Sequence, residues 1–283
     1  MRQFVSDREL GKDGCLTVTG QKFRYLSSVL RVTPGDMIYV RLPSGVLQPM
    51  TVAVVDGAKK QVLLSRAATS GNLLDSGGVK AAPMETKGKF NFHLFQFVPK
   101  PPKFDLVIRQ AAECGLVSVV PVAGEFCQKG NIESAVKKSS PTDERWKKII
   151  TEAREQSGSP VETRVLPCMN LTAALEFWQD KTATDISFAV VLYERTEKTR
   201  SLYEAFYEKK AAALKSGTAL ADIAIMVGAE GGISPAELEM AVNAGFIPVH
   251  FETNILRCET AALYGIAALQ SMVLENEAWK LKE

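Results

Sequence analysis

Ile225-Met226-Val227-Gly228-Ala229-Glu230-Gly231-Gly232-Ile233-Ser234-Pro235 carries an apolar strand pattern into a glycine turn and out through the start of a helix. Residues 223–227 are continuously apolar, as expected of a strand covered on both faces of a parallel sheet. Gly231 and Gly232 open backbone angles closed to other residues and let a ligand approach the chain. Ser234, Pro235 and Glu237 then supply an N-cap, a proline at the first helical position and the glutamate of a capping box. A strand, a glycine loop and a helix N-terminus at the carboxyl edge of a parallel sheet form the place where α/β folds bind ligands. Glu230 inside the loop repels phosphate, so a neutral or cationic group fits better. On the glycines alone, a purely structural βα turn fits equally well.

A second stretch, Ile255-Leu256-Arg257-Cys258-Glu259-Thr260-Ala261-Ala262-Leu263, sets an arginine, a glutamate and a threonine at the head of an Ala-rich helix. The small side chains Ala261, Ala262, Ala267 and Ala268 permit close packing against a helix, a ligand or a second chain. Taken singly, Arg257 and Glu259 also describe a surface ion pair capping an amphipathic helix.

Outward from these segments, strands alternate with helices. Residues 91–98, 117–122 and 186–192 read as strands; 103–114, 145–157 and 201–215 have helical spacing, with Gly115 and Gly158 at two of the ends. This alternation predicts an α/β domain with a largely parallel sheet over residues 90–283. The N-terminal part is different. Residues 37–42, 50–55 and 61–65 are strand-like, with turns at Pro43-Ser44-Gly45 and Asp56-Gly57, and residues 25–31 form a short apolar helix before Pro34-Gly35-Asp36. Short strands with little helix predict a small β-barrel over 1–72, and the glycines and proline of 73–89 mark a linker.

Composition excludes several classes. With 46% hydrophobic and 23% charged residues, the 283-residue chain has the balance of a soluble globular protein. No apolar run reaches membrane-spanning length and the start lacks the apolar core of a secretion signal, so the expected location is cytoplasmic, with no membrane partner. The five cysteines are scattered and only two histidines are present, which argues against a disulfide framework and against a zinc site. They read as reduced, mostly buried thiols. The net charge of +2 hides an asymmetry: residues 1–70 hold ten Lys/Arg and five Asp/Glu. A basic N-terminal module suits a phosphate-bearing partner, or equally an ordinary solvated surface.

The two quoted segments closely resemble G-P-E-G-G and I-L-R-x-E-T-A, hallmarks of the 16S ribosomal RNA uracil-N3 methyltransferases of the SPOUT class, the RsmE type. The similarity extends upstream through Val98-Pro99-Lys100, Ala112-Glu113-Cys114-Gly115, Val120-Pro121-Val122 and Glu152-Ala153-Arg154-Glu155-Gln156-Ser157-Gly158. Near the start, Arg2-Gln3-Phe4 and Val29-Leu30-Arg31 with Gly35-Asp36 match R-x-F and V-L-R-x-x-x-G-D. The resemblance implies a PUA-like RNA-binding barrel followed by a SPOUT α/β domain whose chain end forms a trefoil knot. It also implies S-adenosylmethionine (SAM) bound in that knot, a homodimer, and ribosomal RNA or the small ribosomal subunit as partner.

In the cofactor site the resemblance places Leu192, Glu194, Gly228, Glu230, Gly231, Gly232, Phe251, Ile255, Leu256, Thr260 and Ala261. It gives Arg257 and Glu259 catalytic roles and assigns RNA contacts to Arg2, Arg24, Arg31 and Lys100. The sulfonium cation of SAM agrees with Glu230, and with Glu194 at the end of another strand. Uracil N3 is weakly acidic, so some group must take its proton or stabilise the developing anion. Arg257 is the candidate for holding uracil or phosphate oxygens; the sequence assigns no proton acceptor.

Several family positions differ here. Tyr25 stands for a histidine, Phe126 and Ser159 for arginines, and Phe251-Glu252-Thr253-Asn254 for L-G-P-R. The lost cations sit where RNA phosphates are expected, so the SAM site is predicted to be more nearly intact than the RNA site. The alternative reading is a diverged, catalytically weak or inactive member that binds RNA or ribosomal particles. An unrelated nucleotide enzyme would need a G-x-G-x-x-G or Walker A sequence, and the chain has neither.

Overall fold

The computed structural model describes residues 3–67, 90–182, 186–195, 199–216 and 220–278. Arg2 and the expected linker 73–89 lie outside the described residues. The chain divides into two units, Met1–Glu85 with Arg154–Pro160, and Thr86–Ala153 with Val161–Glu283.

In the first unit, β1 (Gln3–Val5), β2 (Cys15–Thr19), β3 (Met37–Arg41), β4 (Leu47–Asp56) and β5 (Gln61–Arg66) form one sheet in the order β1-β3-β4-β5-β2. β1 runs parallel to β3, and the other pairs are antiparallel. A bulge between Val52 and Val54 in β4 sharpens the twist. The sheet curls around Phe4, Leu16, Val18, Val40, Met50, Val52, Val62 and Leu64, with Leu26 fully buried among them. Gln3 Nε2 donates to the carbonyls of Arg154 (3.0 Å) and Ser159 (3.1 Å), tying in the second segment of the unit.

The helix of this unit departs from the sequence reading. It starts earlier, as α1 (Gly20–Arg24), and continues as a π-helical turn over Tyr25–Val29. It ends before Arg31, whose φ of 53° is left-handed and stops the helix. The turn expected at Asp56-Gly57 is a four-residue connection, held by Lys59 N donating to Asp56 Oδ1 at 2.9 Å; its left-handed residue is Lys60, φ 51°. β1 and β2 have no counterpart in the sequence reading: β1 has only three residues, and in β2 the buried Leu16 and Val18 alternate with short polar threonines that also suit a loop.

The second unit follows the expected alternation: β6 (Asn91–Phe97), α2 (Pro101–Glu113), β7 (Ser118–Ala123), α3 (Lys129–Lys138), α4 (Arg145–Ser157), β8 (Arg164–Val165), β9 (Met169–Asn170), α5 (Leu171–Lys181), β10 (Ile186–Leu192), α6 (Leu202–Ser216), β11 (Leu220–Val227), α7 (Pro235–Asn243), β12 (Ile247–Val249) and α8 (Cys258–Ala278). The last turn of α4 is the part that belongs to the first unit. The strands are parallel in the order β12-β10-β11-β6-β7-β8, with β9 also on β7.

Alternate residues of the central strands feed separate cores. Phe188, Val190, Ile223, Ile225 and Val227 point to one face, under α2, α4, α6 and α8. Ala189, Val191, Ala224 and Met226 point to the other, under α5 and α7. There Phe95 meets Trp178 and Phe246 edge-on at 5.9 and 5.5 Å, geometry that adds roughly 0.5–1.5 kcal/mol per pair beyond the burial itself. Covering on both faces explains why these strands are uninterruptedly apolar. All five cysteines are unpaired, but only Cys258 is buried and the other four are half-buried. Among the described residues no helix is long and apolar enough to cross a membrane.

Candidate functional site

The parallel register sets the position of the site. Leu192, Val227 and Val249 end β10, β11 and β12 at one edge of the sheet, where Leu192 pairs with Val249 and Val191 with Met226. β6 ends at the same edge and leads into α2. The loops leaving this edge enclose a cavity of about 550 Å³, within the usual range for small-molecule sites.

Leu192, Glu194, Gly228, Glu230, Gly231, Gly232, Phe251, Ile255, Leu256, Arg257 and Ala261 line it, joined by Lys103, Thr253, Asn254 and Cys258. Of the residues assigned to cofactor or catalysis from the sequence, Thr260 and Glu259 are not on the wall. Thr260 is exposed on α8, and Glu259 adjoins the cavity through Lys103. Among the RNA candidates, Lys100 caps the start of α2, where its backbone N–H donates to Glu230 Oε1 at 3.3 Å. Arg24 and Arg31 are exposed in the first unit.

The glycine loop has a steric reason for its composition. A Cβ on Gly228 would lie 2.9–3.1 Å from backbone atoms of Gly232, because the turn closes through Gly232 N donating to Ala229 O at 3.0 Å. Gly232, with φ 77°, is the residue in left-handed geometry. Gly231 is not left-handed; there the constraint is Phe126, whose Cβ would be 2.7 Å from an added Cβ. Gln96, fully buried on β6, donates from Nε2 to the carbonyls of Gly228 (3.0 Å) and Val227 (3.3 Å) and fixes the strand end. Its Oε1 has no partner among the described residues.

The helix start forms as its sequence dictates. Ser234 Oγ accepts from Glu237 N at 3.2 Å and Glu237 Oε2 accepts from Ser234 N at 2.9 Å, with Pro235 in the first turn. Glu237 has a second role that no local motif announces: its Oε1 accepts from the backbone N–H of Glu125 at 2.7 Å.

The charges differ from the sequence expectation. Glu230 is not a bare carboxylate, because Lys103 Nζ lies 3.4 Å from its Oε1 and 3.1 Å from Glu259 Oε2. The hydrogen bond with Glu259 leads the effects that raise the Lys103 pKa, against partial burial. Burial pushes the Glu259 carboxyl up, but hydrogen bonds from its own backbone N–H, Lys103 and the Cys258 thiol outweigh it and leave the group lowered. Cys258 is pushed up to about 12, chiefly by burial and then by its hydrogen bond to Glu259, so it is an inert thiol. The guanidinium of Arg257 is exposed on the wall and has no ion-pair partner among the described residues. Among the described residues no group of three or more His, Cys, Asp or Glu is arranged to hold a metal.

The positions where this chain departs from the family motifs fall in different surroundings. Phe126 is exposed and packs on Gly231. Glu252 is exposed in the turn beside the cavity. Ser159, by contrast, is buried in the first unit, and its carbonyl accepts from Gln3. A larger hollow of about 930 Å³ lies between α6, α7 and β12, but half of its lining comes from the two helices and the glycine loop takes no part in it.

A family model described as the RNA methyltransferase domain matches residues 86–270. The ribosomal RNA small subunit methyltransferase E of Bacillus subtilis (strain 168) is 24% identical over 265 residues, covering 94% of this chain and 93% of that protein. A protein of the same name from Synechocystis sp. is 27% identical over 263 residues, 92% of this chain and 74% of that one. Among solved structures, ribosomal RNA small subunit methyltransferase E from Neisseria gonorrhoeae, bound to S-adenosyl methionine, is similar with a TM-score of 0.71 and 26% identity, over 96% of this chain and 98% of that chain. The loops at the carboxyl edge of the sheet lie within the matched residues, and the chain belongs to the RNA methyltransferase domain family.

Proposed function

We propose that this chain transfers a methyl group from SAM to N3 of a uridine in small-subunit ribosomal RNA. The observation that carries this reading is the cradle at Gly228 and Gly231, where added side chains would strike the turn or Phe126, opening onto a cavity of about 550 Å³. The surroundings fit SAM: backbone groups of the glycine loop suit adenine and ribose edges, and Glu194 and Glu230 suit a sulfonium. When bound, SAM supplies a methyl group already activated by positive charge, so orientation provides most of the rate enhancement.

In this reading Leu192, Glu194, Gly228, Glu230, Gly231, Gly232, Phe251, Ile255, Leu256 and Ala261 hold SAM, and Thr260 supports them from α8. Arg257, exposed on the wall, holds uracil or phosphate oxygens. Glu259, given a catalytic role by the resemblance, acts in this reading by anchoring Lys103, whose Nζ lies 3.1 Å from its Oε2. Arg2, Arg24 and Arg31 of a PUA-like module over residues 1–72, with Lys100, contact RNA. The SPOUT domain over 90–283 carries the trefoil knot. Exposed Ile255 (90%), Leu263, Tyr264 and Leu274, on α8 and the turn before it, support a homodimer through this face. The expected location is the cytoplasm.

The exposed Asn254, where the family motif carries its arginine, with Glu252 in place of its glycine, favours a second reading in which RNA binding persists with little catalysis. Titration calorimetry with SAM, followed by mass spectrometry of small-subunit RNA treated with protein and SAM, separates the two. SAM binding with a methylated N3-uridine is the expected result. Binding without methylation selects the second reading, and no SAM binding overturns the proposal.

A further inference from the structure

Lys103 stands where the first turn of α2, the glycine loop and the first turn of α8 meet. Its Nζ lies 3.4 Å from Glu230 Oε1, 3.1 Å from Glu259 Oε2 and 3.9 Å from Cys258 Sγ. The cations at the cavity are Lys103 and Arg257, and the carboxylates are Glu194, Glu230 and Glu259. Among the described residues, Lys103 is the cation within ion-pair distance of any of the three. Its raised pKa keeps it an ammonium at neutral pH.

We infer that Lys103 is a specificity-determining residue: it sets the charge of the cavity, and with it the preference for cationic SAM over the neutral product S-adenosylhomocysteine. This rests on the SAM reading above. The two ligands differ by one methyl group and the positive charge on sulfur. Their affinity ratio therefore reports the potential inside the cavity, and loop displacements common to both cancel from it. A cavity of about 550 Å³ is small enough that a ligand within it feels a lysine on the wall across roughly one Debye length, ~8 Å at physiological ionic strength.

With Lys103 in place, the pocket favours the donor over the product less than bare carboxylates would. The compensation lies on the RNA side. Uracil must give up the N3 proton to accept a methyl group, so negative charge develops on the base, and RNA phosphates approach the same edge. Unpaired Glu230 and Glu259 would oppose both.

The test is calorimetric titration of wild type, Lys103→Gln and Lys103→Arg with SAM and with S-adenosylhomocysteine, at low and high salt. In Lys103→Gln the ratio of SAM to S-adenosylhomocysteine affinity is expected to rise roughly three- to tenfold at low salt. The rise should shrink as salt screens it, whatever happens to either affinity alone. Lys103→Arg keeps the wild-type ratio, and Glu230→Gln moves it the opposite way. An unchanged or lowered ratio in Lys103→Gln overturns the inference and leaves the SAM reading standing. Wild-type protein that binds neither ligand overturns both.

Discussion

Glu237 reaches out of its own helix to Glu125, accepting that residue's backbone N–H at 2.7 Å through one oxygen while the other oxygen caps Ser234 at 2.9 Å. One buried carboxylate thus locks the start of α7 and the loop that carries Phe126 against Gly231. Glu237→Ala leaves two backbone donors without an acceptor, and about 2–3 kcal/mol of stability should be lost. Glu237→Gln retains an acceptor and should lose less. Urea unfolding of the three proteins checks this; equal midpoints for wild type and the alanine variant would remove Glu237 from the scaffold of the site.

Gly228→Ala puts a methyl group against the backbone of Gly232, and backbone cannot swing aside as a side chain can. SAM affinity is expected to fall at least about tenfold, a change of ~1.4 kcal/mol, while the curled N-terminal sheet keeps its stability. Calorimetry together with thermal unfolding measures both. Wild-type affinity in this variant would mean that the turn is not part of the donor site.

His93 and Asp222 meet at 2.9 Å inside the second unit, with Ser118 on the other ring nitrogen at 2.7 Å and Lys181 3.3 Å from Asp222. Burial pushes the Asp222 carboxyl up, but the His93 hydrogen bond and the Lys181 charge outweigh it and hold the pKa below its ordinary value. A carboxylate lowered in the folded state contributes its full stability above the unfolded value of about 3.9, and loses it as pH falls through the folded value. Wild type should therefore lose more stability than Asp222→Asn on acidification below about pH 4, the variant keeping only the losses at other lowered carboxylates such as Asp105 and Glu259. Denaturation series at stepped pH values read this directly; parallel acid limbs would contradict it.

Arg257→Ala should leave the fold intact, because the guanidinium is exposed and unpaired among the described residues, and should lower turnover by about 10²-fold or more if it holds the reacting base. Single-turnover methylation with circular dichroism as the control separates chemistry from folding. Near-wild-type turnover would take Arg257 out of the catalytic set.

What the sequence made legible was local. Residues 223–227 are apolar at every position because alternate side chains enter cores on opposite faces of the sheet, and that pattern is visible without coordinates. Gly115, with φ 71°, ends α2, and Ser234 with Glu237 starts α7, through contacts only a few residues apart. Lys103 was not legible. It sits in the first turn of an amphipathic helix, and both its carboxylates come from more than a hundred positions later in the chain. For the same reason the pull of Glu230 on a cation looked stronger in the sequence than it is beside Lys103. The link between Glu237 and Glu125 was hidden too, since a capping box accounts for the glutamate locally.

The strand order governs when this protein becomes whole. In β6, made early, His93 lies beside Ala224 of β11, which arrives far later, and β11 in turn borders β10. A ribosome halted before residue 220 would hold the curled N-terminal sheet complete, but β6 with one edge open to any passing strand. The turn at 250–257 and the head of α8, which close the cavity, follow later still. Donor binding therefore comes too late to guide the nascent chain past the stage at which β6 still has an open edge.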